Sequence, residues 1–424
     1  MKVQAASREI RLPELPVVLA GHGRFRTAVR VDSSLEVNCL LVSDGESRVL
    51  LVSLDVLYIT SKLRTLVLDE IKSVGLTDEQ LFFAASHTHN APSIDDTKPL
   101  LGDFDPQSLR VVADAVLDAI HKALEKEPQV AEVAVSQGVI PFGVNRRLYR
   151  FLRLDRQGIR IAEVGMGPNP AGETDPFVTY VEIRVGRTTV ACLWSAACHP
   201  TSQPDERSVS ADYPGVVRKH LRARLADMDT VGSSNELPVL FFQGCSGDVR
   251  PPSGRVTKWT ARELAKRILL GRLFHPLSKS EYETWTSVLA EQVWELAKSV
   301  VICLNPRKVD YSRIERPASG FAIIDEHRPP VSFHQVTIGP LLIVGASAEL
   351  VSAYGHLVRA MAPGYIVIPI GCIDHVIGYW PTRDMFREGG YEVSDHCGYF
   401  GIVACDPDVE MKFQRNVQEL FKAI

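Results

Sequence analysis

Short runs of Val, Leu, Ile and Phe recur along the chain, and stretches with helical periodicity separate many of them. This alternation constrains the fold more than any other feature of the sequence. VNCLLVSD (37–44) and RVLLVSLDVLYI (48–59) carry apolar residues at nearly every position, as strands buried on both faces must. SKLRTLVLDEIKSVG (61–75) follows with the spacing of a helix, then LFFAASHTH (81–89) as a strand. Leu109, Val112, Val116, Ala119, Ile120 and Ala123 form one apolar stripe, predicting a helix over Pro106 to Glu125. AEVAVSQGVI, VTYVEIRV, TTVACLWSAACHP, LPVLFFQGCSGD and GPLLIVGASAE read as further strands. Thr260 to Phe274, Glu281 to Val300 and the closing DVEMKFQRNVQELFKAI read as helices. The expectation is an α/β fold, a mixed β-sheet core flanked by helices. Residues 1–424 form one domain in this reading, with 306–330 as loop.

Composition excludes several function classes. A hydrophobic content of 45% with 23% charged residues is that of a globular protein, and a net charge of -4 gives no electrostatic case for nucleic acid. No apolar run is long enough for a bilayer-spanning helix, so no membrane anchor is expected. MKVQAASREIRLPELP lacks the apolar segment of a secretory signal, so a cytoplasmic location is expected. The eight cysteines include no Cys-x-x-Cys pair, and several, lying in apolar stretches, are expected to be buried free thiols.

The chemistry gathers where predicted strands stop. One ends in SHTH (His87, His89), another in CHPTS (His199), a third in GASAE (Glu349). Ligands in open α/β sheets collect beyond the carboxyl ends of the strands. Alternation along a strand would point His87 and His89 the same way. Two histidines and a carboxylate suit Zn²⁺, although each residue alone could equally serve as a hydrogen-bonding corner or a helix cap. No HExxH is present.

Five segments, SHTHNAP, CHPTS, QGCSGDVRP, the Glu of GASAELVSAYG, and GYWPTRDMFREGGYE, resemble in order the signature segments of the neutral/alkaline ceramidase family. The resemblance implies a ceramidase-like catalytic domain with His87, His199, Glu349 and Tyr379 as zinc ligands. It implies His89 as the active-site histidine and Tyr391 as the donor to the substrate carbonyl. Arg146, in GVNRRLY, matches an arginine that faces the active site. A bound cation would favour ionisation of the Tyr379 phenol, which ordinarily titrates near ~10.

The chain departs from the family in three ways. Arg250 stands where the family has its active-site serine, within Gly247-Asp248-Val249-Arg250-Pro251-Pro252. Asn90-Ala91-Pro92 replaces Ser-Gly-Pro. A C-terminal β-sandwich is not expected either. A metal-activated water needs no protein nucleophile, and an arginine in the site would favour a planar anion, unless Asp248 ties it down. The expected function is therefore zinc-dependent hydrolysis of a small polar or anionic N-acyl compound, with Arg146 and Arg250 binding substrate. Two alternatives stand: an esterase or lactonase with the same site, and a silent ligand-binding pseudoenzyme.

Other residues are double-edged. Asp55 could support a metal-bound histidine or cap structure, and Asp212 is expected to cap a helix. Ser246 is expected in a turn. His22, between two glycines in AGHGRFR, could approach a ligand. Asp374-His375 and His396-Cys397 could line the pocket, bind a second ion, or only support structure. Gly389-Gly390 would let the Tyr391 segment move as a lid.

Overall fold

The computed structural model describes the chain apart from residues 156–157, 229–235, 257–259, 262–263, 265–266, 268–270, 300–301, 305, 325–327 and 423–424. Its strands form three larger sheets rather than one. The first has the order Leu81–Ala85, Arg48–Leu54, Glu36–Ser43, Lys2–Glu9, Gln129–Val130. The second runs Val239–Gln243, Thr188–Ala196, Phe177–Val185, Glu132–Val139, Ile302–Leu304. The third runs Val309–Arg316, Val331–Ile338, Leu341–Ala346, Ile366–Ile370. Each is antiparallel except for one parallel pair: Arg48–Leu54 with Leu81–Ala85, Thr188–Ala196 with Val239–Gln243, and Leu341–Ala346 with Ile366–Ile370.

Strand alternation explains how the three meet. In Glu36–Ser43, Leu40 and Val42 face a core shared by all three sheets, while Val37, Cys39 and Leu41 face the opposite way. Leu240 and Phe242 point into the same shared core, as do Leu341 and Ile343. The outward residues Val239 and Phe241, and Leu342 and Val344, enter separate outer cores. Strands buried on both faces require apolar residues at successive positions, and the sequence supplies them.

Helices cover the outer faces. Ser61–Ile71 and Pro106–Leu124 pack on the first sheet, Asp212–Asp227 and Lys279–Lys298 on the second, Ser352–Met361 and Val409–Phe421 on the third. Their ends carry local signals. Asp105 accepts from Gln107 N–H at 3.0 Å ahead of Pro106, and Ser278 with Glu281 forms a capping box. The helix expected over Thr260 to Phe274 lies in part outside the described residues; 261, 264 and 267 are helical, and 271–274 are not. The stretch 306–330, expected as loop, contains the edge strand Val309–Arg316. Among the described residues no helix is long and apolar enough to cross a membrane.

Candidate metal centre

The parallel pairs deliver the polar residues. Leu81–Ala85 leads to His87 and His89, Thr188–Ala196 to His199, and Leu341–Ala346 to Glu349; Ile366–Ile370 leads on to Tyr379. Glu349 and Tyr379 sit side by side, paired in register on two short parallel strands.

The donor atoms converge. Glu349 Oε2 lies 3.0 Å from His199 Nε2 and 3.3 Å from His87 Nε2, and Tyr379 Oη lies 3.1 Å from His199 Nε2. His89 Nε2 is 3.4 Å from His87 Nε2, and one ring nitrogen each of His87, His89 and His199 lies within 4.8 Å of the others. All five side chains are buried. Two ligand atoms on one tetrahedral ion, with bonds of about 2.0–2.1 Å, stand roughly 3.3 Å apart.

The far sides of the rings support the same use. His87 Nδ1 lies 3.1 Å from the Leu57 carbonyl, and His199 Nδ1 lies 2.7 Å from the Ser246 carbonyl. Each carbonyl fixes the proton on Nδ1, so each Nε2 presents its lone pair to the centre. Glu349 Oε1 accepts from the Tyr58 hydroxyl. This donor set fits a divalent cation: two oriented imidazoles, a carboxylate and a phenol, with a third imidazole beside them.

His87 and His89 do not converge by strand alternation, as the sequence suggested. The strand stops at Ala85, and His87 adopts a left-handed φ of 66°. A turn, not a pleat, brings the rings together at 4.9 Å between centroids.

Burial and neighbouring charge separate the groups. Burial and the Arg146 charge push His199 down to about 4. His89 is held well below the usual histidine range by burial, then by His22, His87 and His199. His87 is raised, because its contacts with the Cys372 thiol and Glu349 outweigh its burial. Burial and the Glu349 charge raise the Tyr379 phenol; a cation at the centre acts in the opposite sense.

His89 has a distinctive setting. Its Nδ1 is buried without a hydrogen-bond partner among the described residues, and Gly21 (φ +105°) packs on it so closely that a Cβ there would sit 2.4 Å from that nitrogen. The His22 ring lies 4.5 Å from the His89 ring, tilted by 38°. The AGHG loop thus forms one wall of the centre, which gives His22 the partner that the sequence did not reveal.

The remaining predicted residues are placed as follows. Tyr391 begins a single π-helical turn, Tyr391–Asp395, with its ring 5.3 Å from that of Tyr379. Arg146 lies between the two tyrosines, its guanidinium carbon 5.2 Å from one ring and 5.0 Å from the other. Its charge is shared: Nε lies 2.7 Å from Glu392, which also binds Arg147 at 2.6 Å. Nη2 of Arg146 is buried and lacks a hydrogen-bond partner among the described residues.

Arg250 is not tied to Asp248, whose carboxylate instead accepts from Ser352 and Asn145. It lines a cavity of about 380 Å³ together with His22, Arg26, Asn90, Thr201 and Phe274, its guanidinium 4.5 Å over the Phe274 ring. Among the described residues no carboxylate pairs with it.

Three residues turn out to be structural. Asp55 binds Arg218 Nη2 at 2.7 Å and Glu36 N–H at 2.9 Å, away from the histidines. Asp212 accepts from the Ser202 and Gln203 N–H groups and so ties the loop after His199 to the start of a helix. Asp374 forms a buried ion pair with Arg64 at 2.5 Å. Tyr58 and Cys372 are the neighbours of the centre that sequence reasoning missed. Tyr58 follows the strand Arg48–Leu54 within an apolar run and reads as core.

No protein-family model matches the chain, and no curated protein matches it. Solved structures do. Neutral ceramidase from Pseudomonas aeruginosa aligns with a TM-score of 0.74 at 14% identity, covering 98% of this chain and 73% of that one. A structure described as ceramidase complexed with C2 aligns with a TM-score of 0.73 at 15% identity, covering 98% and 74%. The protein therefore has the neutral-ceramidase fold, in a sequence that has diverged far from both.

Proposed function

We propose that this protein is a zinc-dependent hydrolase that cleaves the amide bond of a small anionic N-acyl compound. The observation that carries the reading is the convergence of His87, His199, Glu349 and Tyr379 from the ends of separate sheets, with both imidazoles pre-oriented by backbone carbonyls. Those four residues would hold the ion. A divalent ion there supplies a Lewis acid and lowers the pKa of water to near neutrality.

The chain's own groups do the rest. His89, neutral and buried, takes at Nε2 the proton of the water that adds to the amide carbon and returns it to the amine as the C–N bond breaks. Tyr391 keeps its phenolic proton, because burial raises it above its ordinary range, and donates it as a hydrogen bond to the substrate carbonyl oxygen. A donor so placed contributes roughly 3 kcal/mol to the transition state. Arg146 sets the spacing of the two tyrosines, and its Nη2, without a partner among the described residues, offers one further donor. Arg250 receives the anionic group in the adjoining cavity, where its fork, held by no carboxylate among the described residues, suits a carboxylate. An arginine in place of a serine and a cavity of about 380 Å³ favour a compact charged substrate over a long lipid.

The test is a panel of N-acyl amino acids, their uncharged N-acyl amine counterparts and matched esters, assayed with zinc-loaded protein. The proposal expects amide turnover with preference for the acids, and its loss in His89→Ala with bound metal retained. Full turnover in His89→Ala removes the proton-transfer role. Tight binding without hydrolysis of any amide or ester removes the enzymatic reading.

A further inference from the structure

A second group of donors lies against Tyr379. His396, Cys397 and Cys405 are 0%, 5% and 5% exposed, and one donor atom of each lies within 4.8 Å of the other two. His396 Nδ1 is 3.0 Å from the Tyr391 carbonyl. That contact places the proton on Nδ1 and leaves the Nε2 lone pair facing Cys405 Sγ at 3.4 Å. His87 and His199 are oriented in the same way, by a backbone carbonyl behind the ring.

The surroundings are poor for three side chains that only fill space. A thiol is a weak donor, so a buried imidazole nitrogen whose neighbour is a thiol at 3.4 Å is left poorly satisfied. Cys405 Sγ lies equally close, at 3.4 Å, to the Tyr379 carbonyl, so one S–H faces two acceptors. Gly378 (φ +149°) brings the backbone so near that a Cβ would sit 3.0 Å from His396 Nε2. The fold thus keeps a lone pair and two sulfurs together where apolar side chains would pack more favourably. Two thiolates and an imidazole are a borderline-soft donor set, one that takes a zinc-type ion in tetrahedral geometry with a fourth position left for another ligand.

We propose that His396 Nε2, Cys397 Sγ and Cys405 Sγ form a second metal site that takes Zn²⁺. Binding releases the two thiol protons. The ion fastens the turn that begins at Tyr391 to the strand that begins at Tyr379, since His396 follows that turn and Cys405 contacts that strand. The site stands apart from the hydrolytic reading and does not depend on it.

Co²⁺ is the probe, loaded into the full chain in place of Zn²⁺. Sulfur ligation gives a thiolate-to-cobalt charge-transfer band in the near ultraviolet, which nitrogen and oxygen ligands do not. The band is expected in the wild-type protein and in His199→Ala. It is also expected in Cys372→Ser, which removes the thiol beside His87. It is expected to vanish in Cys405→Ser, with bound metal falling by one ion per chain. If Cys405→Ser does not fold, the band in wild type and Cys372→Ser, with its loss in Cys397→Ser or His396→Gln, decides the same point. A cobalt-loaded wild type without the band overturns the proposal, as does a Cys397–Cys405 disulfide in freshly isolated protein. Failure of the His199 centre leaves the band in place, so the two proposals fail separately.

Discussion

Tyr58→Phe probes the centre without touching any proposed ligand. Tyr58 is 4% exposed, and its hydroxyl donates to Glu349 Oε1 while Oε2 faces the two histidines. Burial and the Glu349 charge hold the phenol well above its ordinary pKa, so it remains a donor. Phenylalanine keeps the ring, including its packing 5.2 Å from His87 and 5.9 Å from Phe400. What is lost is one hydrogen bond to a buried carboxylate, worth about 1.5–3 kcal/mol. At 1.4 kcal/mol per factor of ten, zinc affinity should fall about ten- to hundredfold, the usual cost of removing a partner of a metal ligand. Competition against a chromophoric chelator at neutral pH measures this directly. With a dissociation constant within twofold of wild type, Glu349 would either not bind the ion or not be positioned by Tyr58.

Three further outcomes are expected. Gly21→Ala should leave zinc binding intact but lower kcat/KM about a hundredfold: a Cβ 2.4 Å from His89 Nδ1 must displace that ring by about 1 Å, a misplacement of the size that costs such a factor. Unchanged turnover on the best N-acyl substrate would separate His89 from the reaction. Arg250→Ser should raise KM for anionic substrates roughly tenfold to hundredfold, the loss of one charge-assisted contact, with little effect on neutral ones; equal effects on both would remove Arg250 from recognition. Asp374→Asn should cost about 1.5–3 kcal/mol near neutral pH, the loss of a charge-assisted contact to Arg64, which keeps its ion pair with Asp78. Although burial raises the Asp374 carboxyl, Arg64, His334 and Arg313 hold it well below the usual carboxylate range. Its stabilisation is therefore full above the unfolded pKa of about 4 and declines as pH falls below it. Denaturant unfolding should show the gap between wild type and variant narrowing in acid; a gap constant with pH contradicts the assignment.

Much of the architecture was legible because burial on both faces leaves a plain mark. Runs such as VNCLLVSD and LPVLFFQ can be little else, and the amphipathic stripe of 106–125 named its helix. The division into three sheets was not legible, since outward and inward residues are both apolar and alternation then carries no signal. The strands Lys2–Glu9 and Val309–Arg316 were missed because they mix charged and apolar residues. At the centre, sequence reasoning picked out His87, His199, Glu349 and Tyr379, and the structure brings all four together. It gave the wrong reason for His87 and His89, because a positive φ at a histidine has no signature in sequence. Tyr58 and Cys372 went unnoticed, since an aromatic or a thiol in an apolar run reads as core. His22 and Arg250 found their settings only through tertiary contacts, across a cavity whose walls come from distant segments.

The most direct measurement is metal analysis of Cys405→Ser protein expressed with zinc available, a background in which only the His87–His199–Glu349–Tyr379 centre can hold the ion. One tightly held zinc per chain is expected there, and its loss when His199→Ala or Glu349→Ala is added. Cys405→Ser protein without such an ion, or an ion held equally well by the double variants, would contradict the assignment.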